Sequence, residues 1–140
     1  MTRRGCLSHQ DKPVKHLYFF PVPSRAPDSL RVRSTGPRSI LIEWSPVPQQ
    51  YVHGILRGYH VYYRTGMSKM KRSTSQVGVI KAMSVNMSSQ SLEITGLEPF
   101  TYYDVWVSAF TVAGNGPQSR PVTVITDEDG KYDFFRSMLM

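Results

Sequence analysis

The chain has 140 residues, which is room for one ordinary domain whose core can be stable without disulfides or metals. Its 17 Lys and Arg outweigh 10 Asp and Glu, a formal charge of +7 spread along the chain, and its single cysteine, Cys6, excludes a disulfide scaffold. No apolar stretch approaches the roughly 18 residues needed to cross a bilayer, so direct membrane insertion by this segment is not expected.

Residues 1 to 25 mix charge, His and Pro without a period, and Pro21, Pro23 and Pro27 favour an extended lead-in, read as a linker or disordered arm. The apolar run from Leu17 is broken at Pro21 and is shorter than the roughly 7 to 15 residues of a signal-peptide core, so no signal peptide is expected here. Within the arm, Cys6 and His9 form a lone CxxH, two zinc ligands at most where structural sites need about four.

From Leu30 onward, short apolar alternations recur. They are LRV at 30 to 32, ILIEW at 40 to 44, YHVYY at 59 to 63, QVGV at 76 to 79, LEI at 92 to 94, YYDVWVSAF from 102, and VTV at 122 to 124. Seven short strands separated by Gly, Pro and Ser turns predict an all-β, seven-stranded antiparallel sandwich. No dozen residues carry a 3.6 period, which disfavours parallel α/β architectures. Phase places Ile40, Ile42 and Trp44 inward, together with Tyr59, Val61 and Tyr63, and Leu92 and Ile94.

In the sixth segment Tyr103, Val105, Val107 and Ala109 share one face, and Tyr102, Asp104, Trp106 and Ser108 share the other. Ala113-Gly114-Asn115-Gly116-Pro117 then reads as a turn between strands. Residues 127 to 140 read as a flexible tail.

Lys69, Lys71 and Arg72 cluster in GMSKMKRSTS, where a solvated hairpin loop is the plainer account and a contact for glycosaminoglycan-like polyanions the functional one. Specific nucleic-acid binding is not expected. Gly114 and Gly116 form a GxG that Pro117 and Ser119 follow, without the third glycine and helix of a dinucleotide site, so no cofactor is expected. Asp28, Glu43, Glu93, Glu98 and Asp104 are scattered over different segments, and neither His53 nor His60 lies near a nucleophile elbow, so no catalytic residue is assigned. Asn86-Met87-Ser88 is an N-glycosylation acceptor without proline in the middle.

The run SILIEWSPV, then GYHVYYR, then LEITGLEPFTYYDVWVSAFTVAGNGPQS and VTVIT resembles a fibronectin type III domain over about residues 26 to 126. The likeness rests on Trp44, on Tyr59 and Tyr63, and on the Leu97-Glu98-Pro99 turn leading through Tyr103 into the valines. It implies an immunoglobulin-like sandwich in which Trp44 is the core platform, Leu97 plugs one end, and the Tyr103 hydroxyl reaches back to a backbone group.

The resemblance also implies that AGNGPQ, with Asn115, is the loop that carries ligand motifs in some relatives; no Arg-Gly-Asp occurs in the chain. Neighbouring third and sixth strands would set Tyr62 beside Tyr102 and Trp106 on an outward face, a candidate surface for other domains, neighbouring modules or homotypic contact. A non-catalytic interaction and spacer module follows, part of a longer extracellular adhesion molecule or cell-surface receptor. The alternative is an intracellular structural module of a cytoskeletal or muscle-type filament protein.

Overall fold

Alternating segments become strands because each buries one face and leaves its backbone groups to pair with a neighbour. The computed structural model describes residues 22–66 and 78–129, so Cys6, His9, Lys69, Lys71 and Arg72 lie outside the described residues. The strands are β1 (Asp28–Gly36), β2 (Ser39–Ser45), β3 (Leu56–Thr65), β4 (Lys81–Asn86), β5 (Ser91–Ile94), β6 (Tyr102–Thr111), β7 (Gly114–Gln118) and β8 (Val122–Ile125). They form two antiparallel sheets: a three-stranded one in the order β1-β2-β5, and a five-stranded one in the order β4-β3-β6-β7 with β8 also paired to β6.

The fold is the all-β sandwich that the periodicity predicts, with eight strands in place of seven. The additional strand arises because the last one is interrupted. β7 pairs with the C-terminal part of β6 and β8 with its N-terminal part, with Ser119-Arg120-Pro121 between them. Pro121 has no amide to donate. At the break Ser119 holds the ladder together, its amide donating to the Val107 carbonyl at 2.8 Å and its Oγ accepting the Val107 amide at 3.0 Å. The turn expected at Ala113–Pro117 is therefore shorter than read: Val112 and Ala113 make it, and Asn115 is an exposed strand residue opposite Phe110.

The fourth strand also departs from its expected place at 76 to 79. Residues 78–80 are outside any strand, and Lys81–Asn86 pairs with β3 instead. β4 is a sheet edge with five of six residues exposed, so no core face imposes an alternation on its sequence.

Between the sheets, Ile40, Ile42, Trp44 and Ile94 meet Tyr59, Val61, Tyr103, Val105, Val107 and Ala109. Trp44 is 3% exposed, and its ring lies 5.4 Å from that of Tyr59, tilted by 59°. Leu97 is buried in the same cluster, while Tyr63 and Leu92 are partly buried against it. The Tyr59 hydroxyl has no hydrogen-bond partner among the described residues. Burial pushes this phenol above its ordinary 10.0, and the backbone of Val47 offsets part of that rise from beyond hydrogen-bonding geometry.

Both ends of the domain are tied down. Pro23 is fully buried, and a Cβ on Gly116 would lie 2.7 Å from Pro23 Cβ, so β7 needs a glycine there to receive it. At the other pole the Asp127 amide donates to the Gly36 carbonyl at 3.2 Å and to Ser34 Oγ at 3.1 Å.

Trp44→Ala removes the largest ring between the sheets and should cost on the order of 3 to 5 kcal/mol in chemical denaturation; a loss under about 1 kcal/mol would contradict its role. Tyr59 supplies a second test. An unfolded tyrosine ionises near 10 while the folded one stays neutral to higher pH, so the stability linked to Tyr59 is complete below about pH 10 and is lost as pH rises towards the folded pKa. Denaturation midpoints followed from neutral to strongly alkaline pH should fall more steeply for wild type than for Tyr59→Phe.

Candidate functional site

Among the described residues, the outer face of the five-stranded sheet gathers aromatic, imidazole and charged side chains on two adjacent strands. In the β3–β6 register Tyr62 lies opposite Trp106, His60 opposite Ser108, Gly58 opposite Phe110 and Arg64 opposite Asp104. Paired residues project to the same side, so these side chains form one surface.

The rings make a continuous row. Phe110 stacks on His60 with centroids 4.1 Å apart and planes within 10°. His60 and Tyr62 stand 6.1 Å apart, and Tyr62 stacks on Trp106 at 5.8 Å and 13°. Arg64 closes the row, its Cζ 5.5 Å from the Trp106 ring centroid, in the range of a cation–π contact. Its Nε lies 3.6 Å from Asp104 Oδ2, while Thr123 Oγ1 donates to Asp104 Oδ1 at 2.7 Å. On the β4 side, His60 Nδ1 and Ser84 Oγ share a hydrogen bond of 2.8 Å.

The expected solvent exposure of Trp106 is corrected by this arrangement. Its phase is outward, yet it is only 7% exposed and stands apart from the inter-sheet cluster. β6 is flanked by β3 on one side and by β7 and β8 on the other, and Tyr62 and Arg64 of β3 lie against its indole. Trp106 forms the floor of an open groove walled by Arg64, Ile80, Gln118, Arg120 and Pro121. Trp106 Nε1, Ser108 Oγ and Arg64 Nε have no hydrogen-bond partner among the described residues.

Tyr62 is half-buried and Tyr102 is 37% exposed on the same face. Asn115 lies on β7, in register with Phe110. Arg64 and Arg120 were missed by sequence reasoning. Arg64 had a usable signal, since it lies two residues beyond Tyr62 and shares its outward phase; Arg120 sits in the strand break and had none. Asn86 is exposed at the end of β4. The carboxylates stay dispersed, with Asp28 paired to Arg25, Glu93 accepting from Thr35 and Asp104 beside Arg64. Among the described residues no group of His, Cys, Asp and Glu is arranged to hold a metal, and no helix is long and apolar enough to cross a membrane.

At the sheet's N-terminal pole, the Tyr103 hydroxyl accepts a hydrogen bond from the Glu98 amide at 2.9 Å while its ring stays buried. This ties the β5–β6 connection to the start of β6 in the manner of a tyrosine corner. The fibronectin type III domain family matches residues 25–125. The chain belongs to the fibronectin type III family. A fibronectin type III domain is a non-catalytic module.

Human cell adhesion molecule DSCAM is 36% identical over 108 residues, covering 77% of this chain and 5% of that protein. Mouse receptor-type tyrosine-protein phosphatase F is 36% identical over 107 residues, covering 76% of this chain and 5% of that protein. The chain thus spans a small part of these relatives. Among solved structures, the third fibronectin III domain of human KIAA0343 protein superposes with a TM-score of 0.70 at 29% identity, over 80% of this chain and 89% of that one.

Tyr103→Phe deletes the acceptor of a part-buried amide and should cost about 1 to 3 kcal/mol, whereas Tyr102→Phe should change stability by less than about 0.5 kcal/mol. Trp106→Ala should lose more than about 1 kcal/mol because its ring is covered. Chemical denaturation of the three variants checks the order, and an equal effect for the two tyrosines would overturn the corner assignment.

Proposed function

We propose that this fibronectin type III module serves as a protein-interaction and spacer element of a longer extracellular adhesion molecule or cell-surface receptor, with the outer face of β3 and β6 as its contact surface. The observation that carries this reading is the unbroken row Phe110, His60, Tyr62, Trp106 and Arg64 across two adjacent strands. Isolated exposed rings suit any pleated surface, but a contiguous aromatic patch edged by arginine has the composition of a binding hot spot. Relatives named as a cell adhesion molecule and a receptor-type phosphatase support the class.

Exposed Tyr102 and half-buried Tyr62 are the anchors of this surface, and Trp106 acts beneath them by fixing Tyr62 and Arg64. The groove beside Trp106 is edged by Arg64 and Arg120, which suits a partner protein presenting acidic or carbonyl groups. The module makes no catalytic contribution. Lys69, Lys71 and Arg72 would add affinity for glycosaminoglycans, measurable as heparin retention that falls when all three become alanine.

The test uses the parent protein on cultured cells. Surface biotinylation should label it, and clustering of cells through it should weaken severalfold in Tyr62→Ser and Tyr102→Ser variants whose unfolding midpoints are unchanged. Undiminished clustering in both variants would overturn the contact face. Failure of surface labelling would overturn the extracellular reading.

A further inference from the structure

Asn86 is the only asparagine of the chain followed by a non-proline residue and then Ser or Thr. It ends β4, and the chain turns through Met87 and Ser88 towards β5. All three residues are exposed. The Asn86 Oδ1 accepts three hydrogen bonds, from the Ser88 amide at 3.1 Å, the Ser88 hydroxyl at 2.7 Å and the Ser89 hydroxyl at 3.0 Å. The turn's hydrogen bonds thus fall on the oxygen of an exposed side chain, and the nitrogen that would carry a substituent is on its other arm.

Register settles which face that substituent would occupy. Asn86 pairs with Gly58, and Ser84 pairs with His60, whose ring bonds the Ser84 hydroxyl on the outer face. Two residues on from Ser84, Asn86 projects to that same face. Gly58 in turn pairs with Phe110, so Asn86, Gly58 and Phe110 lie on one level across three strands. A Cβ on Gly58 would lie 3.1 Å from Phe110 Cε1, which shows the ring leaning across the glycine towards β4. Adjacent strands are about 4.8 Å apart, so the leaning ring closes much of the distance to a group on Asn86.

We propose that Asn86 carries an N-linked glycan whose first sugar packs on the Phe110–His60 end of the outer aromatic row. In the transfer, Nδ2 attacks C1 of an oligosaccharide held on a lipid pyrophosphate. The C1–O bond breaks, the lipid pyrophosphate departs, Nδ2 gives up one proton, and a C1–N bond forms without change of oxidation state. The C–H face of the attached pyranose then meets the electron-rich face of an aromatic ring, with the stacked Phe110–His60 pair as its platform. A sugar there caps one end of the row and leaves the Tyr62–Trp106–Arg64 end for a protein partner. This rests on the extracellular reading above.

The test directs the full 140-residue chain into the secretory pathway of human cells behind an added signal peptide. Whole lysate and medium are analysed together, so a retained chain still counts. Wild type should show one discrete mobility step removed by peptide N-glycosidase F. The step should be lost in Asn86→Gln and Ser88→Ala and kept in Ser88→Thr. A chain without the step, or a step that survives Asn86→Gln, overturns the modification. Nuclear Overhauser contacts between the first N-acetylglucosamine and the Phe110 or His60 ring should be seen in the secreted product, and their absence overturns the packing. If the directed chain is modified while the native parent escapes surface labelling, Asn86 stands as a competent acceptor and it is the extracellular reading, and with it the glycan on the native parent, that is overturned.

Discussion

The two sheets are held against each other chiefly by side-chain packing, and the contact between Trp44 and Tyr59 joins a large ring from each sheet at its centre. With Cys6 outside the domain there is no covalent staple between them. Apolar area and shape must therefore set their separation. Tyr59 comes from β3, the strand that also presents His60, Tyr62 and Arg64 outward, so the outer row takes its position from an inner ring. A shift of β3 in the core would move every side chain of the contact face with it.

This dependence explains the polar atoms left without partners on both sides of the sheet. Trp44 Nε1 and Tyr59 Oη lie inside, and Trp106 Nε1 and Ser108 Oγ outside. An unmade hydrogen bond on a buried group costs free energy that close packing must offset. Inside, the surrounding core supplies that offset. Outside, the same cost falls on Trp106 and Ser108, whose polar atoms are covered although their phase is outward, and the stacked ring of Tyr62 and the Arg64 guanidinium supply packing over the indole.

The sequence was most legible where one strand face meets the core. Ile40, Ile42 and Trp44 alternate because β2 is buried on one side, and Tyr103 to Ala109 do so for the same reason. Edges and interruptions were not legible in this way. β4 has no core face to stamp a period on it, and β7 contains Gly and Pro that mark a turn in most settings, yet Ser119 lets the strand resume. The outward phase of Trp106 was readable from β6 alone, but its cover depends on Arg64 and on residues past the strand break, which no single-strand period encodes. Tyr62, Tyr102 and Trp106 share one face as their spacing implies; their unequal exposure is a tertiary property.

Pro23 and Asp127 are anchored at opposite poles of the sandwich, the first seated on Gly116 and the second clasped by Gly36 and Ser34. In a tandem array, a pull along the string enters the fold through these two fastenings. Beside the Pro23 seat the Ser24 amide donates to the Tyr51 carbonyl at 2.8 Å, and at the other pole the Asp127 amide is shared between the Gly36 carbonyl and the Ser34 hydroxyl, just past β8. Survival under load is set by the rate of the first rupture rather than by equilibrium stability. Each end of the thread is thus pinned by a backbone hydrogen bond beside a packed residue, and a load must break one of these pins before it reaches the paired strands.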